Sequence, residues 1–176
     1  MSSRPSDLHA VVVGSGITGL AAARVLSDRG ARVTILERDA EPEAADPASA
    51  FDHWQRKGAP QVRHSHAFLG RLRKLLREKY PDLLDGLLAA GAAELDMLAR
   101  PPLTLPPLTP EPGDEDLVAL GCRRTTFEWV VRHNVLARDG VTLLGGAQMR
   151  GLRATAGAPP TVDGVHFVRD GSEQTL

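Results

Sequence analysis

The stretch "VVVGSGITGL", residues 11–20, sets three glycines between an apolar run and a segment with helical spacing. Gly14, Gly16 and Gly19 form GxGxxG, a weak signal alone, because glycine-rich turns are common. Its surroundings make it specific. Residues 10–13 predict a strand. Residues 17–29 put Leu20, Ala23 and Leu26 at helical intervals and stop at Gly30, and residues 32–36, "RVTIL", predict a second strand. A strand, a helix and a strand within about 30 residues make a βαβ unit, whose crossover renders the strands parallel. In such a unit the first glycine permits a tight turn, the second lets the backbone approach a pyrophosphate, and the third lets the helix pack closely on the strand. The anion would sit at the helix N-terminus beside Ser15. Glu37 then closes the second strand, at the separation expected of an acid that accepts from a ribose hydroxyl and disfavours a 2′-phosphate. Two alternatives stay open and weaker: an NADP reader through Arg38, and a glycine turn with no ligand.

The bulk numbers narrow the partner class. A chain of 176 residues holds one domain with a real core or part of a larger two-domain protein. With 42% apolar residues, 24% charged residues and a net charge of −1, it has the balance of an ordinary globular protein and no global pull toward nucleic acid or acidic membranes. The single cysteine, Cys122, makes no intrachain disulfide and fits a reducing compartment. No apolar run approaches the roughly 20 residues that span a bilayer, so the expected location is cytoplasmic.

Further along, residues 37–52 carry six acids against one base and predict a surface loop, whereas residues 56–79 carry eight bases against one acid. Within the basic stretch Phe68, Leu69, Leu72, Leu75 and Leu76 predict one face of an amphipathic helix, ended by Pro81. A short helix over residues 82–90 closes at Gly91. Six of the thirteen prolines crowd into residues 101–112, an extended segment, edge strand or linker. Thr125 with Glu128 reads as a capping box opening a helix that carries Phe127, Val130, Val131, Asn134 and Val135 at helical spacing and runs to Gly140. "VTLL" after Gly140, then residues 147–156 and 161–168, predict three strands, the last two joined around Gly157. The expected fold class is α/β: a Rossmann-like βαβ dinucleotide-binding fold with a parallel sheet plus a short β-meander. The expected divisions are a βαβ unit over 1–45, an inserted helical and proline-rich segment over 46–120, and a helix with strands over 121–176.

"VVVGSGITGLAAARVLSDRGARVTILERD" resembles the N-terminal fingerprint of FAD-dependent oxidoreductases of the para-hydroxybenzoate hydroxylase type. "RKGAPQVRHSHAFL" and "GCRRTTFEWVVR" resemble later segments of a branch related to squalene epoxidases and flavin-dependent halogenases. The resemblance implies that Gly14, Gly16 and Gly19 hold the FAD pyrophosphate and Glu37 the adenosine ribose, with Ser15 and Arg38 counted among the cofactor-binding residues. It further implies that Arg56 and Arg124 reach the flavin's phosphate or ribityl region, as forked guanidinium groups suit phosphate oxygens. It implies an oxidoreductase, monooxygenase-like, with NAD(P)H as electron donor and a small organic substrate. The family's later Asp-rich segment and "GD" motif have no counterpart here, so the expectation is the front portion of a longer flavoprotein. A second chain could complete its sheet, and the catalytic residues stay unknown.

Competing chemistry is thin. His64 and His66 share a face if extended, but no third or fourth metal ligand is near in sequence, so no metal is expected. The basic stretch lacks the aromatic platforms of a nucleic-acid surface. Two other function classes remain: a NAD-binding dehydrogenase fragment, and a non-catalytic remnant or interaction module of a split flavoprotein.

Overall fold

The computed structural model describes residues 8–40, 44–99, 109 and 111–176. The proline-rich segment read as an edge strand or linker lies largely outside the described residues. The chain divides into two compact units, Met1–Pro42 with Val131–Leu176, and Glu43–Val130.

The first unit is built on β2 (Arg32–Glu37), which pairs in parallel with β1 (His9–Val13) on one side and β6 (Val141–Gly145) on the other. Val33, Ile35 and Leu36 are 0–1% exposed, as expected for a strand with neighbours on both edges and an apolar sequence to match. The crossover from β1 to β2 is α1 (Ile17–Asp28), which turns Leu20 and Ala23 inward. These elements are the predicted βαβ unit and the strand after Gly140.

After β6 an antiparallel meander follows, β7 (Gln148–Thr155), β8 (Thr161–Arg169) and β9 (Ser172–Thr175), in the order β7-β8-β9. Its first two strands are those read from the sequence; β9, polar and short, gave no apolar alternation to read. Leu36 of β2 buries itself with Ala147, Val165 and Phe167, and Val11, Leu144, Met149 and Leu176 pack around them. One core thus joins the parallel sheet to the meander.

The second unit contains α2 (Pro47–His53), β3 (Ser65–Phe68), α3 (Gly70–Lys79), α4 (Pro81–Ala89), β4 (Ala93–Asp96) and β5 (Val118–Arg123). A single 3₁₀ turn, Asp114–Asp116, precedes β5. The antiparallel sheet has the order β3-β5-β4, and Leu76, Leu83, Leu84, Leu87, Leu120 and Phe127 are buried within this unit. Helix α5 (Arg124–Leu136) begins here and ends in the first unit.

Three local expectations are corrected. The acidic stretch contains α2, opened by a capping box in which Ser49 N donates to Asp46 Oδ1 at 2.7 Å, with Pro47 in the first turn. Phe68 belongs to β3, paired with Leu120, and its ring lies 4.3 Å from that of Phe127, so the helix begins only at Gly70. Thr125 and Glu128 lie inside α5 rather than at its cap.

Phe167 is 2% exposed in the shared core of the first unit. Phe167→Ala should therefore cost about 3–5 kcal/mol, measured as a lower urea midpoint at unchanged slope.

Candidate functional site: a glycine loop and two buried arginine clusters

The loop between β1 and α1 is fixed from two directions. Gly14 N donates to Leu36 O at 2.7 Å, which ties the turn to the end of β2. Gly14 has φ +92°, a conformation that L side chains rarely adopt. A Cβ on Gly19 would stand 1.9 Å from the Gly14 carbonyl oxygen, so only a bare Cα lets α1 close onto the loop. At Gly14 and Gly16, by contrast, an added Cβ would meet no atom within 4 Å.

That open side faces an uncapped helix end. Gly16 is the N-cap of α1, makes no side-chain cap, and is followed by no acid in the first turn. The first intrahelical bond is Leu20 N to Gly16 O at 2.9 Å, so the helix's earlier amides have no carbonyl of their own helix to meet. Uncapped amides, a positive dipole end and open Cβ positions at Gly14 and Gly16 suit a diphosphate. The residues present therefore fit the phosphate portion of a dinucleotide.

Glu37, 7% exposed, sits where β2 ends and is engaged with the loop itself. Its Oε2 accepts from Ser15 N at 2.8 Å and from Ser15 Oγ at 2.6 Å, and its Oε1 accepts from Asp39 N at 2.9 Å. Ser15 is wholly buried, and its Oγ also accepts from Arg132 Nη1 at 3.0 Å. A sugar hydroxyl reaching Glu37 would join these donors. Arg38 is exposed and pairs with Asp39 at 3.6 Å.

In the second unit the structure brings Arg56 and Arg124 together on one buried carboxylate. Arg56 Nη2 lies 3.0 Å from Glu128 Oε1 and Arg124 Nε 3.6 Å from Glu128 Oε2, with side chains 7%, 19% and 1% exposed for Arg56, Arg124 and Glu128. The Arg56 guanidinium also stands 5.5 Å from the Trp54 ring. Neither arginine is a solvated surface cation.

Arg132 was not singled out from the sequence, and Glu128 was read only as half of a capping box, not as a partner for the arginines. Their signal was available: Arg124, Glu128 and Arg132 repeat every fourth residue of α5, with the two later charges among residues that the helical pattern buries.

Other chemistry stays weak among the described residues. No group of three or more His, Cys, Asp or Glu could hold a metal ion. Burial pushes the Cys122 thiol up to about 11, so at neutral pH it is protonated and a poor nucleophile. A hollow of about 460 Å³ beside Leu69, Met97 and Leu117 is apolar, and its Lys74 is already paired with Asp116. No helix among the described residues is long and apolar enough to cross a membrane.

Two substitutions separate packing from open space in the loop. Gly19→Ala should cost about 3 kcal/mol, because the clash is with backbone, whereas Gly16→Ala should change stability by less than about 0.5 kcal/mol. Paired thermal or urea melts check the contrast. Glu128→Ala, which strands two arginines, should cost about 3–5 kcal/mol in the same assay.

The family model described as FAD dependent oxidoreductase matches residues 9–171. Protein Rv3254 of Mycobacterium tuberculosis is 45% identical over 92 residues, covering 52% of this chain and 18% of that protein. The p-nitrophenol 4-monooxygenase PnpA from Pseudomonas putida is similar in structure at a TM-score of 0.64 and 14% identity, over 96% of this chain and 38% of its own. PqsL of Pseudomonas aeruginosa, solved with 2-aminobenzoylacetate, gives a TM-score of 0.63 at 13% identity, over 94% of this chain and 40% of its own. The two solved structures share the fold, and the chain spans a minor part of each of these three relatives. With the glycine loop, the uncapped α1 and the family match running together over nearly the whole chain, this protein belongs to the FAD-dependent oxidoreductase family.

Proposed function

We propose that this chain seats FAD and forms the cofactor-binding part of a flavin-dependent monooxygenase acting on a small organic substrate. The observation that carries the reading is the open, uncapped N-terminus of α1 in front of Gly14 and Gly16, with Glu37 at the end of the neighbouring strand. Gly16 and the first amides of α1 receive the diphosphate. Gly19 keeps the helix close enough to aim them, and Glu37 both steadies Ser15 and offers its carboxylate to the adenosine ribose. Arg56 and Arg124, preset by Glu128 within the second unit, are the residues that the family resemblance assigns to the flavin's phosphate or ribityl portion. Arg38, exposed at the end of β2, contributes at most a rim contact to the adenosine side.

Bound FAD supplies the redox chemistry, with NAD(P)H as electron donor and dioxygen as co-substrate. What the protein contributes is binding, orientation and charge. The monooxygenase assignment is supported by the fold shared with p-nitrophenol 4-monooxygenase. A cytoplasmic setting, supported by the single cysteine, belongs to the same reading. So does a further polypeptide segment pairing with β1, which has β2 on one side and, among the described residues, no strand on the other.

The test is a pair of titrations of the purified chain, with FAD and with NADH. Flavin absorbance that co-purifies or saturates, and that is lost in Gly16→Val at unchanged melting temperature, supports the proposal. Tight NADH binding without flavin would replace it with a nicotinamide dehydrogenase, and binding of neither would leave a non-catalytic module.

A further inference from the structure

We infer that Arg132 is a positioning residue for the dinucleotide loop, acting on Glu37 through the Ser15 hydroxyl; the inference rests on residues 14–19 being the FAD seat. Arg132 comes from α5, far along the chain, and is 4% exposed. A guanidinium only donates, so the Ser15 oxygen accepts at 3.0 Å. A carboxylate only accepts, so the Ser15 proton points to Glu37 Oε2 at 2.6 Å. Both ends of this three-residue chain are charged groups of fixed role, and its direction cannot reverse. Hydrogen bonds to charged groups are the strong ones.

The consequence reaches the ligand. The Ser15 hydroxyl and amide both point to Glu37, so neither is turned outward to a phosphate. Anion binding falls to Gly16 and the amides after it, and Ser15 serves as the link that sets their direction. A buried cation at the base of the loop also offsets the buried carboxylate, which would otherwise stand against an incoming anion.

The experiment measures FAD affinity and amide hydrogen exchange for the wild-type chain, Arg132→Leu, Arg132→Lys, Ser15→Ala and the Ser15→Ala/Arg132→Leu pair. Expected are losses of about tenfold in FAD affinity for Arg132→Leu and for Ser15→Ala, since both break the charged Arg132–Ser15 hydrogen bond. Arg132→Lys should recover part of the loss, and the double variant should be no weaker than the weaker single. Faster exchange at residues 15–19, with β7 and β8 unchanged, accompanies this. Wild-type affinity in Arg132→Leu, or losses that multiply in the double variant, would overturn the inference. If Arg132→Leu does not fold, Ser15→Ala decides: wild-type affinity and exchange overturn the inference, and loss of affinity with local loosening supports it. If the wild-type chain binds no FAD, the FAD reading falls by itself. Exchange then decides on Arg132, since loosening confined to the loop supports positioning and unchanged exchange rejects it.

Discussion

A carboxylate at the end of one strand holding the main chain at the end of its neighbour is the constraint on which this molecule's architecture turns. Glu37 grips Ser15 by amide and hydroxyl, and Gly14 bonds to Leu36 just before it. These contacts set the turn after β1, and the turn sets the angle at which α1 departs. Gly19 then lets the helix lie against the Gly14 carbonyl at a spacing no other residue allows. At Gly14 and Gly16 of the same turn an added Cβ would meet no atom within 4 Å. Strand packing and helix placement thus draw on one short loop.

Helix α5 contributes buried charge to both units. Glu128 gathers Arg56 and Arg124 in one, and Arg132 meets Ser15 in the other. Burying such groups is costly unless each has a partner of opposite charge or a strong hydrogen bond, and here each does. Groups of this kind add little net stability but allow few alternative arrangements.

The βαβ unit was legible because its signals agree: apolar strands, helical spacing and glycines at fixed offsets all point to one structure. The meander strands β7 and β8 were legible through length and the turn at Gly157. Helix α2 was hidden by its acidic setting, although Asp46, Pro47 and Ser49 carry a readable start signal. Phe68 was assigned to a helix because a short apolar run fits either period, and only its pairing with Leu120 decides for a strand. The glycines of the loop could be read locally. The partners of Arg56 and Ser15 could not, since Glu128 and Arg132 reach them only after the chain has folded back.

The pairing of β2 with both β1 and β6 bears on the order of assembly. Val33 aligns with Val141, so the parallel sheet acquires its third strand only after the whole of the intervening unit has left the ribosome. Until then Ile35 and Leu36 lack the neighbour on their second edge, and Leu36 lacks the meander that covers it. While the residues between Glu37 and Val141 are being made, the nascent chain therefore carries an apolar half-sheet, a stage at which a chaperone would find its target.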